Sequence, residues 1–428
     1  MKSRLMGIGG IFAASALMLS ACSGGDTSSG TDNASSSGDE KITLTVATFN
    51  EFGYEDLIKE YMELHPNITV EHKKAATSDE ARDNLNTRLA AGSGLSDIEA
   101  VEVDWLPELL QYSDRFVDLN SDAVKGRWLD WKVAQATAAD GSLIGYGTDI
   151  GPEAICYRAD LFEKAGLPSE RGEVAKLLEG DWDRYFEVGQ QFKDATGIAW
   201  YDSSDATFQG MNNQLVNPFE NSDGTPIPLD QNTDMKGIYD TITSHKDLSS
   251  GNAQWSEDWV ASFQNDGFAT MLCPGWMLGV IEGNAQGVTG WDIADVFPGG
   301  GGNWGGSFLT VPTQTKHPEE AKALAEWLTA PEQQIKAFVA KGTFPSQVEA
   351  LGSDELKAMT NPFFNDAPTG EILANRAQAI TLNPFKGPNY FSIRAVVTDA
   401  INRVEAGTDD PETSWDKAIE AYKALGLD

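Results

Sequence analysis

The sequence predicts an α/β protein built as two lobes, and three observations carry that reading. The chain has 428 residues, more than one hydrophobic core normally serves. The stretch from Lys41 to Val103 alternates strand-like and helix-like segments at the spacing of βαβ units. A polar segment flanked by Gly and Pro, Gly147-Thr148-Asp149-Ile150-Gly151-Pro152, suits a crossover, after which a second series of strands and helices begins.

The elements follow in order. From Lys41 to Thr48, Ile42, Leu44 and Val46 alternate with Thr43, Thr45 and Ala47, which is the period of a strand. The loop Phe49-Asn50-Glu51-Phe52-Gly53 leads into a helix from about Tyr54, with Leu57, Ile58, Tyr61 and Met62 on one face; Pro66 ends it. Ile68 to Glu71 reads as a strand, Glu80 to Ala91 as a helix closed by Gly92-Ser93-Gly94, and Ile98 to Val103 as a third strand running into Asp104-Trp105. This alternation predicts a parallel sheet, which binds ligands beyond the carboxyl ends of its strands. The Phe49–Tyr54 and Asp104–Trp105 loops are therefore the first site candidates. In the second series, Arg158 to Ala165 reads as a helix capped by Gly166, and Phe268 to Cys273 as a buried strand between helices at Trp259–Gln264 and Trp276–Ile281. The glycine-rich loop Gly299–Gly306 precedes strand Phe308–Val311, and Pro318 opens a helix with Ala321, Leu324, Ala325 and Leu328 on one face.

Composition and charge remove several functions. With 65 acidic and 31 basic residues the formal charge is −34, which disfavours nucleic acid and anionic lipid headgroups as partners. Gly300-x-Gly302-x-x-Gly305 matches a dinucleotide fingerprint in letters, but a strand follows it where a helix N-terminus is needed. No Gly-Lys dipeptide, G-x-S-x-G or H-E-x-x-H occurs. Four His and no C-x-x-C leave neither a zinc site nor a thiol redox centre in view, and no cofactor is expected.

The amino terminus reads as an export signal: Lys2 and Arg4 precede 17 uncharged residues, Leu5 to Ala21, against roughly 20 for a spanning helix. Leu19-Ser20-Ala21-Cys22 resembles the lipobox of bacterial lipoproteins, which implies a signal peptide over 1–21 and acylation of Cys22. Residues 22–40, rich in Ser and Gly, read as a flexible tether. In an oxidising compartment the remaining Cys156 and Cys273 are permitted a disulfide; two buried thiols are the alternative.

The aromatic pattern points to chemistry. Among twelve Trp, Trp105, Trp276 and Trp304 adjoin Gly, Pro, Asp or Asn in loops, whereas Trp327 lies inside an apolar helix as a core residue does. Aromatic faces complement the C–H faces of pyranose rings, and short polar side chains complement the hydroxyls. Asn50, Phe52 and Tyr54 join the candidates from the first loop, with a hydrophobic staple as the other reading of Phe52. Asp104 and Asp149 join them from the loops they occupy.

On these residues the sequence resembles the extracellular solute-binding lipoproteins of bacterial carbohydrate ABC importers, the family of maltose-binding protein. Tyr157-Arg158-Ala159-Asp160-Leu161-Phe162 through Ala165-Gly166-Leu167-Pro168 is similar to that family's Y-x-x-D-L-F-x-x-A-G-L-P stretch. Gly267-Phe268-Ala269-Thr270-Met271 through Gly275-Trp276 resembles its G-x-A-A-M…G-x-W segment, Trp304–Ser307 its small-residue crossover, and Pro318–Leu328 its P-E-x-A…F-L helix. The resemblance implies a type II periplasmic-binding-protein-like fold with a hinge and an inter-lobe cleft. It places the N-lobe at 41–148 and 307–343, and the C-lobe at 149–306 and 344–428. It further implies that Trp276 supplies a stacking ring, and that Asn389 and Tyr390 line the cleft. The family's G-P-W order is Pro274-Gly275-Trp276 here, and the two cysteines are not general family features. The expected protein is a monomeric, non-enzymatic lipoprotein on the extracellular face of the cytoplasmic membrane. It captures a plant-type oligosaccharide, xylo- or arabinoxylo- first and manno- second, and delivers it to an ABC permease. Trp276 and Trp304 would stack on sugar, Asn50, Asp104, Asp149 and Ser307 would hold hydroxyls, and Phe52, Tyr54 and Trp105 would shape the facing wall. The competing class is a lipid-tethered glycoside hydrolase, which needs two facing carboxylates.

Overall fold

The computed structural model describes residues 41–427; the expected signal peptide over 1–21, Cys22 and the expected tether lie outside the described residues. Two sheets organise the chain. The first has strand order β2-β1-β3-β9-β4, formed by β1 (Ile42–Phe49), β2 (Ile68–Ala75), β3 (Ile98–Glu102), β4 (Tyr146–Gly147) and β9 (Ser307–Thr310). The second has order β6-β7-β5-β8, from β5 (Glu153–Arg158), β6 (Ala199–Tyr201), β7 (Phe268–Pro274) and β8 (Trp291–Ala294).

The first sheet is parallel over the three strands from which the sequence predicts it, and mixed beyond them. β1 runs parallel to β2 and β3, with Ile42 beside Ile68 and Val46 beside Ile98. β9 is antiparallel to β3 and β4. The reason is topological. β9 re-enters from the other lobe, so its first residue, Ser307, pairs with Glu102 at the end of β3. A strand that begins where its neighbour ends can only run the opposite way. The second sheet is likewise mixed, β5 being antiparallel to β7 and β8 while β6 and β7 are parallel.

Local chemistry sets the element ends. The Ser78–Ala91 helix starts two residues before the sequence expectation because Thr77 Oγ1 accepts from Glu80 N–H at 3.2 Å, and Glu80 returns a carboxylate oxygen to Ala76 N–H at 2.8 Å. Gly92 closes it with φ +68°, a conformation that costs glycine little. Ser256 likewise caps the Glu257–Ser262 helix ahead of Trp259.

Each sheet has its own apolar core. One gathers buried residues from Leu44 to Tyr146 and from Phe308 to Ala337. The other gathers residues from Ile150 to Trp304 and from Phe338 to Tyr422. In the Pro318–Leu328 helix Ala321, Leu324, Ala325 and Leu328 are all buried, as the spacing predicts. Trp327 departs from its core reading: it is half-buried and packs its ring against Tyr61 at 5.2 Å. Cys156 and Cys273 are disulfide-bonded across the neighbouring strands β5 and β7, with Cα atoms 5.4 Å apart.

Three chain segments cross side by side between the lobes. Thr148 N–H donates to Ser307 O, Trp304 N–H to Gly151 O, and Glu153 N–H to Gly302 O at 2.8–3.0 Å, binding the first crossing to the second. Ile150 N–H donates to Phe344 O at 2.9 Å, binding it to the third. No helix among the described residues is long and apolar enough to cross a membrane.

Candidate ligand cleft

A cavity of about 470 Å³ lies where these crossings meet the carboxyl ends of β1 and β3. One wall comes from the Phe49–Tyr54 loop, the first turn of the Thr77-capped helix, and Glu102 and Asp104. The facing wall comes from Asp205, Gln209, Gln254, Trp255 and Trp276, and from one face of the Tyr390–Glu405 helix. That face carries Phe391, Arg394, Thr398, Asp399 and Asn402, a helical period along which polar side chains meet the cavity. Thr148, Asp149, Trp304 and Ser307 form the floor at the crossings.

Aromatic rings build a shelf. Trp276 stands edge-on to Trp304 with centroids 5.4 Å apart, and its indole N–H donates to Trp304 O at 2.9 Å. Trp255 lies nearly parallel to Trp276 at 6.2 Å and packs behind on Trp259 at 5.2 Å. Trp255 is 38% exposed and holds φ +70°, a left-handed conformation rare for a bulky residue and often found at functional positions. Asp205 steadies the approach to it by accepting from Gln254 N–H at 3.3 Å. Opposite, Phe52 contacts Phe49 and Tyr54 at 5.1 and 5.4 Å. Asn50 turns the loop at φ +46°, which its short polar side chain tolerates.

Of the charged groups lining the cleft, Glu51, Asp104 and Arg394 are held in ion pairs. Asp104 is buried and sits between Arg394 Nη1, 3.0 Å from Oδ2, and Lys386 on Oδ1. Burial raises its pKa, but Lys386 and then Arg394 outweigh that and hold the carboxyl below its ordinary value. Neighbouring Glu102 is pushed up to about 8 by burial and by the charge of Asp104. Asp149 accepts from Thr148 Oγ1 at 2.7 Å and Ser307 N–H at 2.8 Å, and burial raises its pKa although Lys132 pulls the other way. Lys132 is buried beneath it with its ammonium 3.8 Å from the Phe308 ring centre, and burial lowers its pKa to about 7.

The structure thus brings Asn50, Phe52, Tyr54, Asp104, Asp149 and Ser307 together with Trp276 and Trp304 at one cavity. Three expectations are corrected. Trp105 is fully buried in the first core, its indole N–H donating to Ser78 Oγ at 3.0 Å, because its side chain turns inward at the end of β3. Tyr390 is fully buried, and its hydroxyl accepts from Asn212 Nδ2 at 2.7 Å. Asn389 bonds Glu220 Oε1 at 3.0 Å. Both fix the start of the last long helix but one and do not line the cavity. Trp255 and the polar face from Arg394 to Asn402 were missed. The face is visible in the sequence as polar residues at helical spacing; Trp255 has no local signal.

Chemically the cleft suits binding. Asn402 Oδ1 and Gln254 Nε2 are buried without a partner among the described residues, one an acceptor and one a donor beside the aromatic shelf. Glu102 and Asp104 differ in protonation as an acid and a nucleophile would, but both oxygens of Asp104 are held in ion pairs and it is a poor nucleophile. Among the described residues no three His, Cys, Asp or Glu side chains cluster as a metal site.

Two α/β lobes joined by three crossings around an aromatic-walled cleft define a two-lobed binding protein of the type II periplasmic class. The chain belongs to the bacterial extracellular solute-binding protein family, whose model matches residues 56–364. It is similar to the arabinooligosaccharide-binding protein of Bacillus subtilis, 27% identical over 89% of this chain and 92% of that one. A protein of the same name from Halalkalibacterium halodurans is 26% identical over 57% and 56% of the two chains. A crystal structure described as an extracellular solute-binding protein of family 1 is 52% identical, with TM-score 0.79 over 90% of this chain and 99% of that one. The binding protein of B. animalis subsp. lactis in complex with β-1,6-galactobiose, 20% identical with TM-score 0.76 over 90% and 97%, shares the fold.

Proposed function

We propose that this protein captures an oligosaccharide between its lobes and presents it to the permease of an ABC importer. The observation that carries the reading is the pairing of the Trp255–Trp276–Trp304 shelf with the unpartnered Asn402 acceptor and Gln254 donor. A pyranose or furanose offers an apolar face to the rings and hydroxyls to both polar groups. The lobes are 41–148 with 307–343 and 149–306 with 344–428; the two cores divide along these bounds except that Phe338 packs into the second core. Ligand contacts made to both walls exist only in the closed form and shift the population towards it. Relatives named for arabino-oligosaccharides favour an arabinose-containing plant ligand over xylo- and manno-oligosaccharides. Export with a lipid anchor on Cys22 fits capture outside the cell.

Thermal unfolding of the chain from Lys41 onward against arabino-, xylo-, manno- and galacto-oligosaccharides tests this. A ligand at about 100 times its Kd adds roughly 2.7 kcal/mol. The expected result is a rise in Tm with arabino-oligosaccharides, recovered uncleaved. Absence of any shift across the panel overturns the oligosaccharide reading, and steady appearance of new reducing ends replaces it with a hydrolase.

A further inference from the structure

Lys386 and Arg394 reach the cleft from the second lobe and converge on one carboxylate of the first, Asp104. Each oxygen has its own cation, and Arg394 Nη1 also donates to Gln209 Oε1 at 3.1 Å. Two partly buried cations set on the two oxygens of one carboxylate are what a protein uses to recognise an acidic ligand. Here the site is already filled by the protein's own side chain.

The other cations near the cleft are committed as well. Lys74 and Lys341 pair with Glu51 at 2.6 and 3.3 Å, and Lys132 lies against the Phe308 ring. Asp79 and Asp399 are exposed at the cavity and form no ion pair within the described residues. An anionic sugar entering this cleft meets the carboxylates of Asp79 and Asp399, and among the described residues the cations nearest the cavity are already engaged by the protein's own groups. To obtain one it must break the Asp104 pairs and leave a buried charge alone, which is strongly unfavourable.

We propose that the cleft selects uncharged oligosaccharides against those bearing a uronate, sulfate or phosphate, and that Asp104 sets this selectivity by occupying the anion site built from Lys386 and Arg394. The inference deepens the oligosaccharide reading and rests on it for the ligand class, but the occupied anion site can be tested without any sugar ligand. Asp104→Asn keeps the shape and releases both cations. Thermal unfolding of the variant and the parent with sodium sulfate or sodium glucuronate, at ionic strength held constant with chloride, reads the site directly. The expected result is a concentration-dependent rise of about 2 °C or more for the variant and none for the parent. A folded variant that responds no more than the parent overturns the proposal. On the parent alone, calorimetric titration with the neutral oligosaccharide that raises its Tm and with the same sugar bearing one glucuronate branch is expected to show at least about tenfold weaker binding of the branched form; equal or tighter binding of the branched form also overturns it. If no neutral sugar binds the parent yet the variant takes up sulfate, the occupied anion site stands and the oligosaccharide reading falls.

Discussion

Gly151 is the point at which the crossings are most tightly packed, and adding a single methyl group there has a calculable effect. Its φ lies outside the left-handed region, so alanine brings no backbone strain of its own. A Cβ at Gly151 falls 1.7 Å from Trp304 O and 3.3 Å from Trp276 Nε1. Ordinary contact begins near 3.4 Å, so the first two crossings must part by more than 1.5 Å. That separation breaks the Trp304 N–H to Gly151 O bond at 2.8 Å and the Gly151 N–H to Asn303 Oδ1 bond at 2.9 Å. It also pulls Trp304 O from the Trp276 indole N–H, at 2.9 Å. At about 1 kcal/mol net for each bond, Gly151→Ala loses about 3 kcal/mol. Urea unfolding at 25 °C measures the loss, and near-ultraviolet circular dichroism follows the Trp276–Trp304 pair. Gly237 serves as the control: it lies inside the Thr233–Ser244 helix with nothing within 4 Å of a built Cβ, and alanine there is expected to stabilise by about 0.5–1 kcal/mol. A Gly151→Ala protein within about 0.5 kcal/mol of the parent, by the same bond arithmetic, would show that the crossings slide freely and refute the packing argument.

Trp255→Ala removes the exposed end of the shelf and is expected to weaken sugar binding about tenfold while changing Tm little, because a stacked ring contributes about 1–1.5 kcal/mol; calorimetry showing unchanged affinity would remove Trp255 from the site. Replacing Cys156 and Cys273 together by Ala opens a loop of sequence separation 117, worth about 5 kcal/mol in chain entropy, and a measured loss of about 3–5 kcal/mol is expected, with a loss under about 1 kcal/mol contradicting the estimate. Glu102 and Asp202 have pKa values pushed up to about 8, and Glu405 to about 7, each chiefly by burial, so the folded form holds protons that the unfolded form releases above about pH 4.5. Their contribution to stability therefore falls as pH rises through 5 to 7, whereas Lys132, lowered to about 7, gains stability only as pH rises from 7 towards 10.5. A Tm series should decline between pH 5 and 7, and less steeply in Asp202→Asn, whose side-chain oxygen still accepts from Trp259 Nε1; a Tm that rises over that interval contradicts the assignment.

Much of the scaffold was legible because it is written in short-range periodicity. Leu44 and Val46 alternate with polar residues and are fully buried, and the apolar stripe Ala321–Leu324–Ala325–Leu328 faces the core. The direction of β9 was not legible, since it depends on where the chain returns after residues 149–306, not on its own side chains. Trp105 and Trp276 show the same limit at the site. Both stand in turns beside small or polar residues, yet one is packed against Ser78 and the other faces the cleft. Where a side chain points at a strand end depends on the register of that end, which flips with a single residue.

The sequence by itself determined the class of architecture, the glycine closures of helices such as Gly92, and the loops from which the cleft is drawn, because each rests on contacts between residues a few positions apart. Only the tertiary structure decided how the charges are used. Asp104 meets Lys386 and Arg394 across separations of 282 and 290 residues, and Cys156 meets Cys273 across 117. A lone acid in a loop reads as a group for sugar hydroxyls; two cations brought from the other lobe make it an internal counter-ion. Such pairings follow from the closure of long chain loops, to which no local pattern in the sequence is sensitive.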